Sequence, residues 1–447
     1  MSQVLSEPSS TLVRPSLGQP AWTTTNEVVL PTESSLAKLL SSPKIVLAII
    51  AAVTVLAIAL GGLAANRDVF DPDEEIYHRV IGLFGEGVSL DLVQSYRGEP
   101  ASPAPLFFLV YAWWGDVFGH GYSQYRALSL ALTLLAMVFL CLAHSRQMAS
   151  RDTTSFPLLV FLYPYTFAMA FAVMAEPLTL LLTVIGLLCF HRGLEEDSDV
   201  ALALGALAIT GALYVRIHAL FAVGALAVIF LLRKERSPWR WFLVGLPILA
   251  RLPLVALQGG LTVSREAFLA TRPELGFTPS NLHFGLVWLG YSFFPLLWWC
   301  SGNRRVNGLC VLLSAPLYFL AVPDFLGMEH NGALRTLLLS LRIDSASAQW
   351  LLFPAWCLGC YLAADLMQRI ISGRNLREMF YGSAVLLFLA SLTFSTVAFE
   401  RYYVLVVPAL VLMGVSRSSH RTGYWAVAAC HVLFLGLSAA RLGKMLF

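Results

Sequence analysis

The chain has 447 residues, 57% of them hydrophobic and 13% charged, with a mean hydropathy of +0.71 and a formal net charge of +3. Soluble domains carry about 25% charged residues, so this composition excludes a soluble globular enzyme. The basic residues are scattered rather than gathered in a patch, which argues against a nucleic-acid partner. The seven cysteines all fall in or at the ends of apolar runs, so no disulfide framework is expected.

Residues 1–44 are rich in Ser, Thr and Pro without a helical period, the composition of a disordered cytoplasmic tail. The apolar run at 45–65 follows 44 residues of tail and is expected to be an uncleaved anchor rather than a secretory signal. Further runs predict spans at 125–143, 155–173, 177–191, 200–215, 217–232, 241–258, 283–300, 306–322, 349–366, 380–398, 402–416 and 424–440. The expected fold class is therefore all-α, a polytopic transmembrane helix bundle of about 13 spans. Some of these runs are short for a bilayer, so 155–191 and 200–232 can be divided differently. The stretch "PLFFLVYAWWGDVFG" at 105–119 is apolar but short, and counting it as a span would reverse the charge pattern of every later loop. It is expected to be an interfacial helix. Cys357-x-x-Cys360 lies inside a predicted span, where packing explains it better than redox or metal chemistry.

Lysine and arginine set the orientation. With the N-terminus in the cytoplasm, the loops "HSRQMASR", "RKERSPWRW", "SGNRR", "MQRIISGRNLREM" and "SRSSHR" share one side. The long loops 66–124, 259–282 and 323–348 then face outward. So do three polar knots: "MAEP" at Glu176, "YVRIH" at Arg216 and "FERYY" at Glu400 to Tyr403. Polar groups held against an apolar wall mark ligand sites in membrane proteins.

The first outer loop opens with "NRDVFDPDEEIYHRV" at 66–80. Asp71 suits an N-cap, Pro72 the first helical position and Glu74 the third, so helix initiation explains these three. Asp73 has no capping duty and is left over. The Asp71-x-Asp73 spacing would also suit Mg²⁺ or Mn²⁺. Arg251 lies within a predicted span, which marks a functional hypothesis with no readable partner.

Three motifs resemble the GT-C superfamily of membrane glycosyltransferases, and most closely the protein mannosyltransferases and lipid A aminoarabinose transferases (a glycosyltransferase family 39-like group). The first is the Asp73-Glu74 pair after the first span. The second is "SPAPLFFLVYAWWGDVFGHGYSQYRALSL", similar to a Pro-Pro-Leu-aromatic segment followed by Phe-Gly and Arg-x-x-Ser. The third is "FERYYVLVVPAL", similar to an Arg-Tyr motif opening a late span. The likeness covers 45–240 and 380–415, leaving 241–379 unmatched. Many relatives carry a Lys before the Pro-Pro-Leu segment; here "EPASPAPL" has none, and Arg97 is the nearest substitute.

The resemblance implies an integral membrane domain over 45–447, with the catalytic motif in the 66–124 loop. It implies inverting transfer of a sugar from a polyprenyl-phosphate donor to a lipid, glycan or protein acceptor. The setting implied is a bacterial plasma membrane, with the site facing the periplasm or exterior and membrane lipid around it. Asp73, paired with Glu74, would act at the acceptor hydroxyl. Arg79, Arg97, Arg216 and Arg401 are candidates for the donor phosphate, with Arg401 and Tyr402 at the family's Arg-Tyr position. Each arginine has a plainer alternative, a lipid headgroup or a carboxylate partner such as Glu400. Asp71 and His78 are candidate substrate contacts. Relatives imply no required cofactor, and the divalent ion on Asp71 and Asp73 stays open as an alternative. Two other classes compete: a transporter of a small solute or lipid-linked sugar, disfavoured by few mid-span charges and no visible repeat, and a non-catalytic envelope scaffold.

Overall fold

The computed structural model describes residues 72–96, 103–147, 156–258, 277–294, 300, 302–327, 332–373, 375–395 and 398–414. The expected tail at 1–44, the spans at 45–65 and 424–440, Asp71, Arg97 and most of the 259–282 loop lie outside the described residues. Among the described residues every regular element is helical. In chain order they are α1 (Pro72–Gly85), α2 (Leu90–Ser95), α3 (Pro105–Phe118), α4 (Tyr122–Gln147), α5 (Phe156–Leu162), α6 (Pro164–Met169), α7 (Glu176–Glu195) and α8 (Asp199–Leu213). They continue with α9 (Leu220–Arg233), α10 (Pro238–Gln258), α11 (Pro279–Phe293), α12 (Arg304–Leu320), α13 (Ala333–Ser340), α14 (Ser345–Ser372), α15 (Leu376–Ser391) and α16 (Val407–Gly414). Short 3₁₀ turns at Ile217–Ala219 and Glu400–Leu405 precede α9 and α16.

Five of the described helices are long and apolar enough to cross a membrane: Tyr122–Ala143 within α4, then α7, α10, α14, and α15 with its continuation to Phe394. Three shorter apolar helices, Pro105–Phe118, Asp199–Leu213 and Ile217–Arg233, accompany them. These numbers do not confirm thirteen spans. The expected span at 155–173 is instead two short helices broken at Tyr163. Pro164 lacks an N–H and drives its predecessor out of the helical region, and Tyr163 sits at φ −55°, ψ 127°. Every residue from Leu159 to Ala175 is buried, so this segment forms a central plug rather than a lipid-facing wall. The expected span at 402–416 begins as the 400–405 3₁₀ turn before becoming α16.

Helix ends follow local chemistry. Ser198, Asn303, Asp344 and Asn375 each accept a backbone N–H as N-caps of α8, α12, α14 and α15. Gly373 closes α14 at φ 62°, a left-handed conformation that glycine adopts without strain. α7 packs against α8 and α4, α9 against α15, and α11 against α14. In the last pair the backbones touch. A Cβ on Gly290 would meet the carbonyl of Ala355, and one on Gly359 the carbonyl of Leu286, the close approach that small residues permit between membrane helices.

The polar groups gather in two sets. At one end Arg240 joins Asp197 (2.6 Å), Asp199 (2.8 Å) and Glu235 (3.1 Å). Arg233 donates to the Leu194 carbonyl (3.1 Å), and Arg377 lies 3.9 Å from Glu195. Nearby, the mid-span Asp365 accepts from the Gly302 N–H (2.8 Å) and pairs with Arg369, which also faces Glu378. Cys357 and Cys360 are free thiols packed in α14. The polar knots of the other set meet at the opposite end.

Candidate active site

α1 is the first part of the site. Glu74, Tyr77, Val80, Ile81 and Phe84 recur at three- and four-residue intervals and are all buried. This stripe packs on α3, with Tyr77 5.5 Å from Phe107 and Phe84 5.5 Å from Phe108, ring to ring. The packing fixes the rotation of α1. Glu74 is sent inward, Glu75 and Arg79 lie exposed, and Asp73 stands at the edge with 31% of its side chain accessible. Asp73 is thus a carboxylate at the border between core and surroundings.

Arg401 meets it there. Its Nη1 donates to Asp73 Oδ2 at 2.7 Å, and its Nε lies 3.7 Å from Glu176 Oε1, an ion-pair distance too long for a hydrogen bond. The same Glu176 oxygen accepts from Arg216 Nη2 at 3.0 Å, and Arg216 Nη2 reaches Tyr77 Oη at 3.5 Å. The result is a continuous chain Asp73–Arg401–Glu176–Arg216–Tyr77. Glu176 and Arg216 are 3% and 4% exposed, and Arg401 13%. Tyr402 lies beneath both guanidinium groups, at 5.6 Å from Arg216 and 5.9 Å from Arg401, and stacks on His218 at 4.4 Å. Burial pushes the Tyr77 phenol up to about 12, partly offset by Arg216, so it remains a hydrogen-bond donor at ordinary pH.

Two buried networks hold this chain in place. Glu74 takes Arg126 bidentately, Nε to Oε1 at 3.2 Å and Nη2 to Oε2 at 2.9 Å, and accepts the Val173 N–H at 2.7 Å. Ser129, one turn beyond Arg126, donates to the Ala172 carbonyl at 2.7 Å, and Tyr111 to that of Met174 at 3.3 Å. The loop before α7 is therefore pinned just ahead of Glu176. On the other flank, Glu400 accepts from Tyr165 Oη (2.8 Å) and from the Leu334 N–H (2.9 Å), while its carbonyl accepts from Tyr163 Oη (3.1 Å). Arg401 consequently pairs with Asp73 rather than with its neighbour Glu400.

Of the residues singled out from sequence, Asp73, Arg216, Arg401 and Tyr402 come together. Glu74 is adjacent but engaged in the Arg126 pair. His78 faces away, stacked on Tyr122 at 4.3 Å with Nε2 2.8 Å from the His120 carbonyl, and Arg79 lies on the exposed side of α1. Arg251 sits apart, 5.7 Å above the Tyr214 ring. Sequence reasoning left Arg126 and Tyr77 unassigned and marked Glu176 only as one of the polar knots. Arg126 and Ser129 are the Arg-x-x-Ser of the second motif, and Tyr77 lies one turn after Asp73, so the signals were present without a partner to interpret them.

One oxygen of Asp73 is held by Arg401, and Asp71, the other carboxylate of the divalent-ion alternative, lies outside the described residues.

No family model and no curated protein matches the chain. Two solved structures are similar to it: ArnT from Cupriavidus metallidurans in the apo state, and the same protein bound to undecaprenyl phosphate. Each shares 14% identity and a TM-score of 0.43, covering 89% of this chain and 77% of that one.

Proposed function

We propose that the chain is a membrane glycosyltransferase that moves a sugar, with inversion, from a polyprenyl-phosphate donor to a hydroxyl of a lipid, glycan or protein acceptor at the outer face. The observation that carries this reading is the convergence of one edge carboxylate, Asp73, with two guanidinium groups, Arg401 and Arg216, over an aromatic floor. The parts come from chain segments centred on 73, 216 and 401. They sit at one end of the helical bundle, where an amphiphilic donor has its headgroup beside its tail.

Each part has a task in a single displacement. Asp73 orients the acceptor hydroxyl and takes its proton as the oxygen attacks the anomeric carbon. The bond to phosphate breaks on the opposite face, and negative charge gathers on the departing polyprenyl phosphate. Arg401 and Arg216 stabilise that charge, since a planar guanidinium meets two phosphate oxygens at once. Tyr77 adds a neutral donor beside Arg216. Phosphate is already a good leaving group, so no general acid is required. Arg401 and Arg216 supply the positive charge for this step.

The test compares Asp73→Asn with Asp71→Asn in membranes supplied with labelled polyprenyl-phosphate sugars. Loss of about 10²-fold or more in transfer is expected for Asp73→Asn, the scale of a positioned general base, and a milder loss for Asp71→Asn. Undiminished transfer by Asp73→Asn would sink the assignment. Solute uptake into vesicles, with no transfer from any donor, would favour a transporter.

A further inference from the structure

On the glycosyl-transfer reading, the charges of the site do not balance once a donor is bound. Asp73 and Glu176 carry two negative charges, Arg216 and Arg401 two positive. A sugar–phosphate diester brings one more negative charge, and the departing polyprenyl phosphate a second. Both arginines are also engaged beforehand: Arg401 by Asp73 at 2.7 Å and by Glu176 at 3.7 Å, Arg216 by Glu176 at 3.0 Å. A phosphate must therefore share or displace a carboxylate.

Glu176 is the carboxylate suited to yield. A single oxygen, Oε1, serves both arginines. Its Oε2 is buried and has no hydrogen-bond partner among the described residues, although Glu176 is 2% exposed. A buried carboxylate is usually tied through both oxygens, as Glu74 is by Arg126 and Val173. Glu176 is held loosely between two cations by comparison.

We infer that Glu176 is a resident competitor for the arginine pair. The incoming phosphate displaces it, and its return to Arg216 and Arg401 drives the polyprenyl phosphate out after transfer. Glu176 touches neither reacting centre in this scheme. It acts through the two arginines as a positioning residue that limits how tightly the product is held.

The experiment uses the full chain in detergent and measures affinity for undecaprenyl phosphate together with the KM and kcat of transfer. Glu176→Gln keeps the shape and the Oε1 acceptor but removes the charge. The expected result is about tenfold tighter undecaprenyl phosphate binding, with KM and kcat both lowered as product release slows. Glu176→Asp withdraws the carboxylate by one methylene from both arginines and is expected to tighten binding only a few-fold. A merely structural role would misplace the arginines and weaken binding in both variants. Unchanged or weaker binding therefore overturns the inference, and Glu176→Asp decides alone should Glu176→Gln fail to fold. A wild-type chain that binds no undecaprenyl phosphate and transfers no sugar would overturn the glycosyl-transfer reading itself, and the competitor role with it.

Discussion

Removing Arg126 tests whether the Glu74 pair is the frame of the site. Glu74 is 0% exposed and Arg126 7%, so neither charge is solvated by water in the folded chain. Arg126→Met leaves Glu74 with the Val173 N–H but without the two guanidinium bonds at 3.2 and 2.9 Å. Hydrogen bonds to charged groups contribute about 1.5–3 kcal/mol each, so two of them amount to roughly 3–6 kcal/mol. Breaking a buried ion pair by deleting one partner costs about 3–5 kcal/mol, and the two estimates agree. The double variant Glu74→Leu/Arg126→Met removes both charges and should recover much of that loss. Denaturant unfolding of the detergent-solubilised chain, read as a double-mutant cycle, gives the coupling directly. A single-variant loss under about 1 kcal/mol, or a double variant equal to the sum of the singles, would refute the claim that this pair is desolvated and mutually dependent. Transfer should fall in Arg126→Met as well, because the Val173 N–H lies three residues before Glu176.

Arg401→Lys retains the charge but not the planar fork; transfer should fall at least about tenfold in kcat, and a rate within twofold of wild type in the labelled-donor assay would remove Arg401 from the phosphate. Gly359→Val forces a side chain into the Leu286 backbone at the α11–α14 crossing, and should cost about 1–3 kcal/mol or more as overpacking, measured as a lower unfolding midpoint. Tyr77 ionises near 12 in the folded chain and near 10 when unfolded. Its neutral form therefore supports the fold fully below pH 10, and that contribution is lost as pH rises through 12. Unfolding midpoints between pH 9 and 12 should fall more shallowly in Tyr77→Phe than in wild type.

The sequence exposed the helical class through its apolar runs. The start of α1 was legible because Pro72 and the acidic first turn are local signals. The plug at 159–175 was not, since hydropathy cannot tell a lipid-facing run from one enclosed by protein. Only "LYPY", with Pro164 at its centre, hinted at the break. Three residues of the site stood out as charges in turns, yet their partners lie roughly 40 to 330 positions away and leave no periodic trace. Asp73 looked like a lone carboxylate because its guanidinium partner comes from residue 401. Glu176 looked like one polar residue in a turn because Arg216 and Arg401 arrive from separate parts of the chain.

Glu400 and Arg401 are consecutive residues with opposite allegiances. Glu400 is bolted to Tyr165 and to the Leu334 backbone, where Gly332 fits so closely that a Cβ would sit 2.5 Å from the Glu400 carboxyl carbon. Arg401 turns the other way, toward Asp73 and Glu176. One peptide link thus joins the anchored Glu400 to the paired Arg401. A side chain at Gly332 would therefore press on Glu400, the residue next to Arg401. The Asp73–Arg401–Glu176 chain is therefore tied, one residue away, to the start of α13 through Glu400 and the Leu334 N–H.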